Sequence, residues 1–233
     1  MAQLRRLHLL HLTDGAPRDL DDARRAGFGN WEDYARARQT ELRGALQVLA
    51  VHAVVRAYRC PDKQAILALV SITRRLVEDL AQVGVVITHS YEHGHPDHDA
   101  AAFAVHAACT LLQQQRGFAP LILEFPSYHL REHRLVLGRF WPDSNCCEHT
   151  ADLKAQEVAL KSRALACFRT QQAVIRGCPL NPERYRRAPL YDFTRPAPPG
   201  AAVYDTLGWQ INSRSWRAYA TAARGELGIA GPA

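Results

Sequence analysis

What most constrains the fold of this chain is the alternation of short apolar runs with longer stretches of helical period. Leu7–Leu12, Ala53–Tyr58, Gly84–Thr88 and Leu121–Phe125 read as strands. Between them, Trp31–Leu49 repeats Tyr34, Leu42, Ala45 and Leu49 on one helical face. Residues 61–82 do the same with Ile66, Leu69, Val70, Leu76 and Leu80, and Asp97–Gln115 reads as an alanine-rich helix. Further on, Arg134–Phe140 predicts a strand, Asp152–Arg176 a long helix, Pro179–Gly200 a connection, and residues 203–223 one short helix. Strands separated by helices predict an α/β fold with a mostly parallel sheet covered on both faces, whose functional loops follow the carboxyl ends of the strands. Two loops qualify: Thr13-Asp14-Gly15-Ala16-Pro17, and His89 to Asp97. With 233 residues and no internal repeat, the expectation is a single domain, 1–233, in which 187–233 is a C-terminal extension packed on the rest.

The second of these loops carries the chemistry. Between His89 and Asp99 lie four histidines, a glutamate and two aspartates. Imidazole and carboxylate are the ligand set of zinc and related ions. On a loop between a buried strand and a helix such residues are not expected in the core. A helix cap needs only one Asp or Asn, which leaves most of the cluster unexplained.

Charge and cysteines narrow the function classes. The 29 basic and 23 acidic residues give a formal charge of +6. The arginines are scattered as pairs (Arg5-Arg6, Arg24-Arg25, Arg74-Arg75, Arg186-Arg187), not gathered in a stripe with aromatics, so nucleic acid is not the expected partner. A small substrate, anionic ones included, is compatible. The six cysteines form no C-x-x-C pair, no leader of signal-peptide type precedes them and no run is long enough to span a bilayer. A cytoplasmic protein with reduced thiols and no membrane partner is expected. Cys146-Cys147-Glu148-His149 lacks a second pair to complete four ligands, and no glycine-rich phosphate loop occurs.

Two motif readings of the cluster compete. His93-x-His95-x-Asp97-His98 satisfies the H-x-H-x-D-H pattern of the metallo-β-lactamase fold, which expects a β-rich chain ahead of it. The wider segment Thr88–Ala100 resembles the second metal motif of the PIG-L/LmbE-like deacetylases. Thr13–Pro17 is similar to that family's strand-end loop, Arg38-x-x-Glu41-Leu42 to its R-x-x-E-L helix, and Pro61-Asp62 to its substrate-side aspartate. Glu183–Arg186 and Tyr191–Pro196 resemble a C-terminal pattern of a bacterial branch.

This resemblance implies a Rossmann-like three-layer sandwich and a zinc-dependent hydrolase that removes an acetyl group from an N-acetylated sugar-like amine. Zinc activates a water and polarises the amide carbonyl in such enzymes. Carried onto this chain, His98 would be a metal ligand, and His95 would stabilise the oxyanion or protonate the leaving amine. Asp97 would orient His95, and Arg38, Asp62 and Asp14 would contact substrate. The family's His-Pro-Asp-Asp motif has no counterpart here, so the first βα unit is expected to be lacking and the zinc site incomplete. That leaves a degenerate homologue that binds without turnover as the alternative. Leu7–Leu12 would then form an exposed edge, which predicts self-association into a homo-oligomer.

Overall fold

The computed structural model describes residues 6–196 and 200–230. Met1–Arg5, the leading residues of the sequence, lie outside them. In chain order the elements are β1 (Leu7–Thr13), α1 (Asp21–Arg25), α2 (Trp31–Val48), β2 (Ala53–Cys60), α3 (Leu69–Asp79), β3 (Val85–His89) and α4 (Pro96–Arg116). The strands β4 (Leu121–Phe125), β5 (Tyr128–Arg131), β6 (Arg134–Leu137) and β7 (Glu148–Ala151) follow. Then come α5 (Ala155–Ala166), α6 (Gln172–Ile175), β8 (Glu183–Arg187) and α7 (Ser213–Leu227). Single 3-10 turns stand at Ala65–Ala68, Arg169–Gln171 and Val203–Thr206. The chain divides into two compact units, residues 6–62 with 151–183, and 63–150 with 184–230.

In the first unit β1 and β2 pair in parallel, Leu7 opposite Ala53 through His11 opposite Ala57, with the register shifting before Thr13 meets Cys60. The crossover between them is α1 and α2. Asn30 caps α2 by accepting from Asp33 N at 2.8 Å, and Glu32 and Asp33 in the first turn complement the helix dipole. Tyr34 and Ala35 of α2 join Ala16 and Ala23 in a small buried cluster. Glu41 ties the later segment down, accepting from Thr170 N at 2.8 Å and Thr170 Oγ1 at 2.7 Å.

In the second unit α4 is the central helix. Pro96 occupies its first turn, where a missing N–H costs nothing, and Gly117 ends it in the left-handed conformation. Its small residues (Ala100, Ala102, Ala104, Ala107, Ala108) are all buried, which allows close approach of α3, β3 and α7 around it. The C-terminal segment belongs to this packing: Trp216 of α7 is fully buried, donates to Pro96 O at 3.0 Å and stacks on Tyr91 with centroids 5.3 Å apart.

The helices and strands of an α/β fold are therefore present, but the expected mostly parallel sheet is not what forms. The strands make three sheets: β1-β2, β3-β4-β8-β7 and β5-β6. The two pairs bridged by helices, β1-β2 and β3-β4, are parallel, whereas β4-β8 and β5-β6 are antiparallel. The reason is connection length. A helical crossover returns a strand in parallel, while the two residues between β5 and β6 permit only a hairpin. The expected strand 134–140 ends at Leu137, the expected helix 152–176 breaks after Ala166, and β8 lies inside the expected proline-rich connection.

Candidate active site

Strand β3 delivers the chain into a tight loop, residues 90–95, ahead of α4. Asp99, in the first turn of α4, organises this loop. Its carboxylate accepts from Glu92 N at 3.3 Å, from His93 N at 3.1 Å and from Tyr204 Oη at 3.1 Å. Burial holds its pKa well above the usual carboxylate range despite these donors. His93 takes a left-handed φ of 59° to make the bend. Gly94 passes so close to β5 that a Cβ there would stand 2.0 Å from Tyr128 O.

Glu92 faces away from the loop mouth. It accepts from Ser127 N at 2.6 Å and Tyr128 N at 3.0 Å, and its other oxygen lies 3.4 Å from His129 Nδ1. His93 Nε2 lies 3.1 Å from Tyr91 Oη, inside an aromatic cluster. Glu92, His93 and Asp99 are 2%, 1% and 0% exposed, so the expectation that this cluster stays out of the core is corrected. These three polar side chains are buried because each meets backbone or side-chain partners that the sequence alone does not place beside it.

His95, Asp97 and His98 remain together at the start of α4. His95 is the N-cap residue, and its Nδ1 accepts from Asp97 N at 3.2 Å. A neutral ring accepting at Nδ1 carries its proton on Nε2. The Asp97 carboxylate accepts from Lys63 N at 2.6 Å and Ala65 N at 3.0 Å, and one of its oxygens stands 4.0 Å from His95 Nδ1. His98 is one turn further along. Its ring stacks on His89 with centroids 3.9 Å apart and lies 5.1 Å from the His95 ring. His89 Nδ1 is 2.9 Å from Ser127 Oγ. Burial pushes the pKa of both His89 and His98 well below the ordinary imidazole value, with each lowered further by a neighbouring histidine. Both rings are neutral at neutral pH.

In the first unit the structure brings Asp14 and Arg38 to one loop. The Asp14 carboxylate accepts from Ala16 N at 3.0 Å and pairs with Arg18 at 2.6 Å, shaping the turn after β1. Arg38 donates to Gly15 O, and Gly15, with φ 69°, leaves no room for a Cβ against the Arg38 guanidinium. Asp62 ends the first stretch of this unit, directly after β2 and Pro61.

His98 Nδ1 is buried with no hydrogen-bond partner among the described residues, as a nitrogen reserved for a metal would be. Protein zinc sites with an open position take three such ligands. Within this cluster Glu92 is bound to the β5 backbone and His93 is turned into the aromatic core, while His95 and Asp97 each offer a ligand atom within 4.8 Å of the other. The cluster does not by itself complete a zinc site.

Three neighbours of the site gave no local signal in the sequence. The Trp209 and His95 rings meet in a T-shaped contact with centroids 5.1 Å apart, and Lys63 Nζ lies 4.7 Å over the Trp209 ring. Tyr204 reaches Asp99 across 105 positions of chain. A separate buried network joins Glu124, Arg186 and Tyr191: Arg186 Nε donates at 2.6 Å and Tyr191 Oη at 2.9 Å, and burial pushes the Glu124 carboxyl up to about 7.

Residues 1–109 match the family model described as PIG-L, GlcNAc-PI de-N-acetylase, a stretch that includes His95, Asp97 and His98. Among solved structures, the fold is similar to the A40926 pseudoaglycone deacetylase Dbv21, at 18% identity and a TM-score of 0.54, covering 78% of this chain and 84% of that one. It is also similar to the zinc-inhibited form of teicoplanin deacetylase Orf2, at 12% identity and TM-score 0.54, covering 76% and 85%. No curated protein sequence matches the chain significantly. No described helix is long and apolar enough to cross a membrane.

Proposed function

We propose that this chain is an N-deacetylase-type hydrolase acting on an N-acetylated, sugar-like small molecule. The observation that carries the reading is the His95-Pro96-Asp97-His98 turn at the start of α4, inside the family-matched region, with His98 Nδ1 left unsatisfied in a buried position. Deacetylase activity in the structural neighbours supports the same reaction class.

Hydrolysis of an amide passes through a tetrahedral oxyanion and needs a proton on the departing amine. His95, with Nδ1 fixed as an acceptor, presents Nε2–H for one or both tasks. Asp97 acts on His95 through the backbone: by anchoring Lys63 N and Ala65 N it fixes the turn from which its own N–H holds the imidazole. His98 is proposed as a ligand for a divalent metal, zinc by family resemblance. Arg38, Asp62 and Asp14 are proposed as substrate contacts, and the cytoplasm as the compartment. A second reading, a homologue that binds without turnover, is favoured by the incomplete ligand set around His98.

The test is acetate release from N-acetylglucosamine conjugates by the full chain, with and without added zinc. Release that depends on zinc and disappears in His98→Ala supports the enzyme. Saturable binding with no acetate release at any zinc concentration supports the binding homologue and overturns turnover.

A further inference from the structure

The ring of Trp209 stands beside His95 on a short segment between the turn at Val203–Thr206 and α7. Trp209 is only half-buried, on a loop whose preceding residue, Gly208, has φ 65° and open space where a Cβ would stand. Unlike Trp216, which fills the core and donates to a backbone carbonyl, Trp209 is not used to close the packing of α7. Its orientation is nevertheless set from two sides. The His95 ring makes a T-shaped contact with it, planes 69° apart, and the Lys63 ammonium lies over its face. Lys63 is in turn fixed at its backbone by Asp97, in a left-handed conformation with φ 67°. Asp97 therefore positions both groups, the imidazole through its backbone N–H and the lysine that holds the indole through its carboxylate.

We infer that Trp209 is a substrate-binding residue, a platform on which the apolar C–H face of a pyranose ring packs so that the N-acyl group on that ring reaches His95. A rigid, partly wet aromatic surface beside a proton-donating group suits a ligand that is apolar on one face and polar at its rim. A sugar ring has this character and an acyclic amide does not. The inference deepens the deacetylase reading by assigning ring recognition to the C-terminal segment, outside residues 1–109.

Binding and turnover separate the two claims. N-acetylglucosamine, and N-acetylethanolamine as an acyclic control, are titrated into wild type, Trp209→Ala and Trp209→Phe by calorimetry, with acetate release measured in parallel. Trp209→Ala is expected to weaken N-acetylglucosamine binding at least tenfold. Trp209→Phe should recover most of it, and neither change should move the acyclic amide more than twofold. If wild type does not bind N-acetylglucosamine, or Trp209→Ala binds it within twofold of wild type, or both ligands weaken equally, the assignment of Trp209 is overturned. Acetate release with unaltered binding in Trp209→Ala would sink the platform and leave the deacetylase standing. Binding that needs Trp209 without acetate release would do the reverse. Near-ultraviolet circular dichroism on each variant distinguishes a lost platform from a lost fold.

Discussion

The imidazoles of His89 and His98 stack 3.9 Å apart with their planes 4° from parallel, both partly buried. Desolvation and the neighbouring histidines lower both pKa values well below the ordinary imidazole value, which favours neutral rings, and neutral imidazole is the form that binds a metal. Zinc titrated into the full chain should therefore bind in a His98-dependent way. His98→Gln should reduce the affinity by at least tenfold, read by competition with a chromophoric chelator, while leaving the circular dichroism spectrum unchanged.

Gly94 has no room for any side chain, since a Cβ would meet Tyr128 O at 2.0 Å. Gly94→Ala should cost about 3 kcal/mol or more of stability, because backbone must move to relieve the overlap. Gly84, with nothing within 4 Å of its Cβ position, is the matched control, and chemical denaturation of both variants checks the contrast.

Asp99 holds two backbone N–H groups and the Tyr204 hydroxyl. Asp99→Ala strands these buried donors and should cost about 2–4 kcal/mol, whereas Asp99→Asn keeps an acceptor and should cost about half as much or less. Tyr204→Phe should cost about 1 kcal/mol, and the double variant Asp99→Ala/Tyr204→Phe should cost less than the sum.

Burial lowers the His93 pKa to about 4, against an ordinary value of 6.5. The folded state thus binds fewer protons than the unfolded one between those values, and stability falls as pH drops from 6.5 toward 4. The loss from this residue approaches about 3 kcal/mol once pH is below 4. His93→Asn, which tolerates the left-handed backbone, should flatten that part of the Tm-against-pH profile while lowering Tm at pH 7.

Glu41 accepts both the N–H and the hydroxyl of Thr170, joining α2 to the turn at Arg169–Gln171. Glu41→Ala should cost about 1–3 kcal/mol, and hydrogen exchange should show the protection loss concentrated in residues 167–176.

The sequence by itself determined the strand and helix alternation, the loops after β1 and β3, and the one turn that carries His95, Asp97 and His98. These are local properties: apolar period, turn formers, and a proline at the first helical position with a polar cap before it. Tertiary structure decided what each member of the His/Asp cluster meets. Glu92, Asp97 and Asp99 are equally ligand-like in sequence, and each accepts from donors the chain brings from elsewhere: Ser127 and Tyr128, Lys63 and Ala65, and Tyr204 in turn. Trp209 and Lys63 reach the site for the same reason. A buried carboxylate must be satisfied by whatever the packing supplies, and packing joins residues that no spacing in the sequence relates.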